Sequence, residues 1–249
     1  MTHRDLAKAL ALAVLWVTAG EAAAAPAEMR VLTDEINAVG ERSLEVQASV
    51  ARPSSTARSG TGLVWQGLVE ASQGLAKGME ASVQLVGSRV DGTWRGNAVN
   101  AELQYVRPHD DEGLYWGARV ELGDGSEVGE ARALNSELRP IVGYRVHGWH
   151  LTLNPAVAAA LTGEDRKVRF EPAAKLAYEV NGTTSVGGEF FGEAGPVRHL
   201  LPRSRRNELA LLVVDTRVGG SGLSFGLGRR LTEVSDRWVV KLITSFDLD

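Results

Sequence analysis

The 249-residue chain contains no cysteine, and this absence excludes several kinds of chemistry. Disulfides, thiolate metal ligands, a cysteine nucleophile and a lipid-modified N-terminal cysteine are all ruled out. An excess of positive charge is also missing, because the formal net charge is −4. This balance argues against a nucleic-acid partner, which favours a basic surface. Beyond residue 24, no apolar run reaches the ~18 residues that a membrane-spanning helix needs.

The N-terminus has the pattern of an export signal. Basic residues within the first eight positions precede the apolar stretch ALALAVLWVTAG (9–20), and small residues follow it in EAAAAP. An amphipathic surface helix or an uncleaved anchor is the alternative, but the apolar stretch is short and rich in alanine. We therefore predict a signal peptide over residues 1–24, cleaved after Ala24, that exports the protein.

The remainder of the chain is predicted to be all-β. Residues 25–41 are polar and weakly patterned, and we interpret them as a periplasmic lead-in. From residue 42 to residue 249, apolar side chains repeat on alternate positions, as expected for strands with one apolar face. About twelve such segments (ten to fourteen) can be recognised, and no helical period of useful length competes with them.

A soluble β-sandwich has the same alternation, so further features must decide the architecture. The aromatic residues of the apolar faces lie towards strand ends, where lipid-facing strands carry aromatic girdles. The links alternate in length: the odd-numbered links, including the glycine-rich region 87–97, are long, and the even-numbered links are tight apart from 107–113. External loops and periplasmic turns have this layout. We predict a closed antiparallel transmembrane β-barrel over 42–249, in which the last strand pairs with the first.

Prolines interrupt this regular pattern in one region. Pro140, Pro155 and Pro172 fall within three consecutive predicted strands. Proline cannot donate a hydrogen bond to a strand ladder, so bulges or shifted strand ends are expected here.

The signal pattern, the alternating strands and the C-terminal segment WVVKLITSFDL resemble those of Gram-negative outer-membrane β-barrel proteins. More narrowly, the short lead, the hairpin GLAKGMEASVQL and the strand LTLNPAVA are similar to the uncharacterised barrels grouped with the meta-pathway phenol-degradation proteins. The resemblance implies localisation in the cell outer membrane, contact with its lipid and lipopolysaccharide, and recognition of the last strand by the barrel-assembly machinery. In this chain Phe246 is followed by three residues, whereas such strands typically end on an aromatic residue.

Charged residues occupy the polar faces in the middle of the predicted strands, and these faces line the inside of a barrel. Residues of opposite sign share this face, so they can pair across a narrow lumen or line a wet channel. The predicted lumen-lining residues are Glu102, Arg119, Glu121, Glu137, Arg139, Glu171, Lys175, Glu179 and Lys241.

No catalytic set can be assembled from the histidines that follow the signal. His199 has no serine or acid at a spacing that indicates a triad, and His147 and His150 lie at a tight turn. The motif HDDE (109–112) has oxygen ligands suited to a divalent cation, but a solvated acidic turn has the same composition. We therefore predict no enzyme activity, no cofactor and no metal site.

One predicted external loop is rich in arginine. Arg198, Arg203, Arg205 and Arg206 lie between residues 193 and 206. Guanidinium groups bind phosphate through paired hydrogen bonds, so the loop could contact lipopolysaccharide; an ordinary solvated loop is the alternative.

The predicted function is a small diffusion channel or solute-uptake pore in the outer membrane. The first alternative is a structural or surface-interaction barrel with a plugged lumen, and the second is a soluble periplasmic β-sandwich or lipocalin-like binder. Twelve strands lie between the packed eight-stranded barrels and the open pores of sixteen or more, and the mixed charges favour neither cations nor anions.

Overall fold

The computed structural model describes residues 28–54, 62–90, 92–125, 132–163 and 166–248. The predicted signal peptide and its cleavage site lie outside the described residues. No helix in the described ranges is long and apolar enough to cross a membrane. The strands are β1 Arg42–Arg52, β2 Val64–Ala76, β3 Met79–Val90, β4 Thr93–Val106, β5 Gly113–Gly125, β6 Ala133–Val146, β7 Trp149–Ala160, β8 Arg169–Asn181, β9 Thr184–Glu193, β10 Gly195–Pro196, β11 Asn207–Val218, β12 Ser221–Arg230 and β13 Trp238–Leu248, with a short 3-10 helix at Arg203–Arg205.

Twelve of these strands form a closed antiparallel barrel, as predicted. Each long strand pairs with its neighbour along the chain, and the two-residue β10 adds only a short contact to β8. The last strand, β13, pairs with β1 along the whole length of β1, so that Lys241 lies opposite Ser49. The sheet is therefore continuous around the barrel, so each of these twelve strands is paired on both of its edges.

Alternate residues face outwards and inwards, and the outward face is apolar. Leu103, Val120 and Leu138 are register neighbours on β4, β5 and β6, and each is 45–48% exposed. Arg119, next to Val120 in the chain, points inwards and is 1% exposed. Exposed aromatic residues cluster on the outside where strands begin or end: Tyr105, Trp116, Tyr144, Trp149 and Tyr178. An apolar band bordered by aromatic residues is the exterior that a lipid bilayer requires.

The two ends of the barrel differ in the length of their links. We call the end where β1 begins and β13 finishes the near end; its links are the two-residue turns 77–78, 147–148, 182–183 and 219–220 and the longer 107–112. Most links at the opposite, far end are longer. The predicted long link over 87–97 is wrong, because β3 continues to Val90 and β4 begins at Thr93. Gly87 lies opposite Gly96 at a register shift, so these glycines mark a bulge rather than a loop.

The prolines interrupt a ladder without ending the strands. Pro155 of β7 lies directly opposite Pro172 of β8. Between β6 and β7, pairing is continuous up to Leu138–Val157 and resumes at Val142–Leu153. The missing rungs surround Pro140, as expected for a residue that cannot donate to the ladder.

Residues 28–38, which we call the plug, lie inside the barrel. Met29, Val31 and Leu32 are almost completely buried. The predicted periplasmic lead-in over 25–41 is therefore wrong for this segment. The polar groups of such a segment can be hydrogen-bonded by water in the periplasm or by polar side chains in the lumen. Its sequence therefore does not indicate which of the two locations it occupies.

The plug enters the lumen at the near end. The side-chain amide of Asn37 donates to the hydroxyls of Ser43 and Ser72, at 3.0 Å each. The carbonyl of Ala38 passes so close to Gly74 that a side chain at position 74 would collide with it. Gly74 thus lets the chain fold back from β1 into the barrel.

Candidate functional site: the plug and the lumen wall

The tip of the plug packs on an apolar patch of the lumen. Met29 and Val31 belong to one buried cluster with inward-facing residues of several strands. Leu211 of β11 and Val239 of β13 are members of this cluster, whereas Leu212 points outwards and is 76% exposed. The apolar segment LALLVV (209–214) therefore serves two surfaces: one row of side chains packs against the plug and the other faces outwards.

Glu28 binds two arginines of the wall. Its carboxylate accepts hydrogen bonds from both terminal nitrogens of Arg119, one of them at 2.8 Å, and forms an ion pair with Arg139 at 3.1 Å. Arg119 and Arg139 are register partners on β5 and β6, so they are like charges directly opposite each other. The plug carboxylate thus bridges two positive charges that would otherwise repel.

Arg30 makes the inverse arrangement with two acidic residues of the neighbouring strands β1 and β2. Its two terminal nitrogens contact Glu45 and Glu70, each at 2.9 Å. Glu45 and Glu70 are register partners on β1 and β2. The guanidinium of Arg30 therefore bridges two negative charges, and it also lies 3.4 Å from the carboxylate of Glu28.

Asp34 repeats the pattern nearer the entrance. Its carboxylate is 2.5 Å from Arg145 and 3.7 Å from the ring nitrogen of His150, which are register partners on β6 and β7. A second histidine, His109, approaches the other carboxylate oxygen at 3.3 Å and stacks on the ring of Tyr115. Two histidines that are far apart in the sequence therefore meet at one aspartate of the plug.

Main-chain groups of the plug are also bound by the wall. The amide oxygen of Asn154 accepts from the backbone N–H of Leu32 at 2.8 Å, and its amide nitrogen donates to the Leu32 carbonyl at 3.1 Å. The ammonium of Lys241 donates to the carbonyl of Met29 at 2.7 Å. Asn154 lies where the prolines interrupt the ladder. Its side chain there hydrogen-bonds the backbone N–H and carbonyl of Leu32, as a neighbouring strand would.

Burial disfavours the charged form of Glu28, but the positive charges of Arg119, Arg139 and Arg30 outweigh burial and hold the pKa of Glu28 well below its usual range. A lowered pKa means that this contribution to docking is present above the ordinary glutamate pKa of about 4.3 and is lost only at lower pH. The Glu28 contact therefore persists through the neutral and mildly acidic range.

The nine residues predicted to line the lumen lie on inward-facing positions, and most of them form ion pairs. Arg119 contacts Glu102 at 3.2 Å, and Arg139 contacts Glu137 at 2.7 Å. Across the barrel, Lys175 contacts Asp215 at 2.8 Å, and Lys241 pairs with Glu189. Glu121 lies opposite Glu102 and Glu137, Glu171 lies opposite the buried Ala156, and Glu179 lines a cavity beside the plug.

Sequence reasoning missed the charges that the plug itself brings. Glu28, Arg30 and Asp34 fell within the predicted lead-in, and Glu45 and Glu70 were not identified as their partners. For the wall residues the sequence does contain a signal, because Glu45 occupies one of the alternate positions of β1 whose side chains point into the barrel. For the plug, the only signal is the alternation of charged and apolar residues in EMRVLTDE.

The cavity beside the plug lies at the near end and has a volume of about 790 Å³. It is lined by plug residues, by the link 107–112 and by residues of most strands around the barrel, including Glu45, Gln104, Arg145, Lys175 and Asp215. The near end of the lumen is therefore a polar vestibule beside the plug.

Two further sequence motifs lie at the ends of the barrel: HDDE (109–112) in a near-end link and the arginine-rich loop at the far end. Within the described residues, no group of three His, Cys, Asp or Glu side chains is placed to hold a metal ion. In the arginine-rich loop, Arg198, Arg203 and Arg205 are exposed, and Arg206 donates to the carbonyl of Leu201 at 2.7 Å. This last contact fixes Arg206 to its own loop.

Comparisons with known proteins identify the fold. The chain matches no family model and no curated protein sequence. It is similar in structure to an outer-membrane channel from Pseudomonas putida F1, with a TM-score of 0.63 and 14% identity over 89% of this chain and all of that one. It is also similar to the NanC porin (TM-score 0.59, 11% identity, 82% of this chain and all of that one) and to the KdgM porin in complex with disordered oligogalacturonate (0.54, 10%, 83% and 99%). At these identities the likeness establishes the fold alone: this chain is a closed twelve-stranded antiparallel β-barrel with the fold of those outer-membrane proteins.

Proposed function

We propose that the protein is an outer-membrane channel for small solutes whose lumen is closed by the plug and opens when the plug moves. The observation that carries this proposal is the way the plug is held. Glu28, Arg30 and Asp34 attach it to the wall through side-chain ion pairs, and no strand pairing joins it to the barrel within the described residues. Charged contacts of this kind can exchange with water or solute, whereas a strand of the barrel cannot leave without breaking the wall.

Plug deletion tests the proposal. Removing residues 28–36, while retaining residues 1–27 and Asn37, should raise the single-channel conductance severalfold over that of the intact protein, because the lumen of a twelve-stranded barrel exceeds that of a packed eight-stranded one. The measurement is conductance in planar bilayers. A matched variant, Glu28→Gln with Arg30→Gln and Asp34→Asn, keeps the chain length and should open more often than the intact protein.

The second candidate is a structural or surface-interaction barrel with a permanently plugged lumen. The dense ion pairing of Arg119, Arg139, Lys175 and Lys241 favours it, because paired charges fill a lumen as well as they line a channel. Deletion of a permanently seated plug would also open the lumen, so the substituted variant of full length distinguishes the two functions. If neither the intact protein nor this variant shows opening events, the plugged barrel is supported and the channel is overturned.

The location and partners follow from the same proposal. The apolar exterior suits the outer membrane, reached through a cleaved signal peptide and with help from the barrel-assembly machinery. Exposed Arg198, Arg203 and Arg205 are suited to lipopolysaccharide phosphates at the far end. We also propose that the protein is not an enzyme. We further propose that it is related to the barrels grouped with the meta-pathway phenol-degradation proteins, because its strands and hairpins follow a similar layout.

A further inference from the structure

We propose that the wall positions occupied by Glu28 and Arg30 form a binding site for a small zwitterionic solute, one that carries a carboxylate and a guanidinium or ammonium group. This inference rests on the proposed function, since the plug must leave before a solute can enter. The site has a carboxylate subsite, formed by Arg119 and Arg139, and a cation subsite, formed by Glu45 and Glu70.

The carboxylate subsite has donors that the wall does not use. Arg139 binds Glu137 through its Nε and one terminal nitrogen, and directs its other terminal nitrogen to Glu28. Both terminal nitrogens of Arg119 bind Glu28, although one also contacts Glu102. Paired guanidinium donors of this geometry suit a carboxylate.

The cation subsite is a pair of carboxylates on neighbouring strands. Glu45 and Glu70 are register partners and both are largely buried, with side-chain exposures of 14% and 5%. Gln84 donates one hydrogen bond to Glu70 at 2.7 Å, but an amide does not neutralise the charge. Two carboxylates held this close are destabilising unless a cation lies between them.

The two subsites adjoin each other. The Glu28 carboxylate and the Arg30 guanidinium that fill them are 3.4 Å apart. Loss of the plug leaves a positive pair and a negative pair side by side, so a simple anion or cation can compensate only one of them. A solute that carries both charges within a few bonds compensates both at once, and it is therefore favoured over either single ion.

Equilibrium binding tests this inference without depending on conductance. The protein is the variant lacking residues 28–36, purified in detergent, and the probe is 4-guanidinobutyrate, with butyrate and butylguanidinium as single-charge controls. Calorimetric titration should show 4-guanidinobutyrate binding at least about tenfold more tightly than either control, because it makes charge-assisted hydrogen bonds at both subsites. The intact protein should bind none of the three, since its own plug fills the site.

Substitutions locate the binding. Glu45→Gln and Arg139→Gln should each abolish the advantage of the zwitterion, whereas Lys175→Met, which removes a lumen charge across the barrel, should keep it. Equal affinity for the three probes, no binding of any of them, or equal binding to the intact protein would each overturn the inference. Failure of the deletion variant to conduct would instead refute the proposed channel. The calorimetric titration would still decide whether the binding site exists.

Discussion

Deletion of residues 238–249 should prevent the chain from assembling in a membrane. This deletion removes β13, which pairs with β1 along its whole length and with β12 from Gly222 to Arg229. Two edges would then face lipid, where each unpaired backbone group costs several kcal/mol. The deletion also removes Lys241, which holds the plug backbone at Met29. The measurement is insertion into lipid vesicles, followed by the change in gel mobility between unheated and boiled samples.

A smaller deletion provides the control. Removing only Leu248 and Asp249 takes away the single register pair between Leu248 and Arg42 and leaves Phe246 one residue from the end. This variant should insert and should keep its heat-dependent mobility. A chain without residues 238–249 that still inserted and migrated as a folded species would contradict barrel closure by β13.

A lysine in the middle of the outer face should destabilise the barrel strongly. Val120 is at the centre of β5 and lies between Leu103 and Leu138 on the outer surface. Val120→Lys should lower the free energy of unfolding by about 2–4 kcal/mol, because a lysine near the bilayer midplane must be desolvated or must distort the membrane. The measurement is denaturant titration of the protein folded in lipid vesicles.

The same substitution on the inner face is the matched control. The side-chain nitrogen of Gln84 lies 2.7 Å from a carboxylate oxygen of Glu70, so Gln84→Lys places its charge beside an acid. It should cost much less than Val120→Lys. A larger loss for Gln84→Lys than for Val120→Lys would mean that the two faces of the barrel have been assigned the wrong way round, and equal losses would contradict the assignment.

The barrel was predictable from the sequence because apolar and polar residues alternate clearly along its strands. In β5 the period places Val120 and Arg119 on opposite faces, and in β13 it extends to the end of the chain. The error at Gly87 and Gly96 has a specific cause: glycine occurs both in loops and at bulges, and only the pairing of β3 with β4 distinguishes them.

The plug was not predictable, because its charged residues suit the periplasm and the lumen equally well. Glu28, Arg30 and Asp34 would be solvated in the periplasm and are ion-paired in the lumen. Their partners lie far away in the sequence: Arg119 is 91 residues from Glu28, and Arg145 is 111 residues from Asp34. Contacts of this range depend on barrel register, which composition does not reveal.

Photo-cross-linking from Met29 tests most directly the central claim that residues 28–38 lie inside the barrel. The chain contains only three methionines, so photo-methionine can be incorporated in a Met79→Leu variant and its cross-links mapped by mass spectrometry. The structure places Met29 in one cluster with Leu209, Leu211 and Val239, and we expect cross-links from position 29 to peptides of β11 and β13 in the folded protein. A folded barrel in which position 29 reacts only with lipid or solvent would contradict the plug and the channel mechanism built on it.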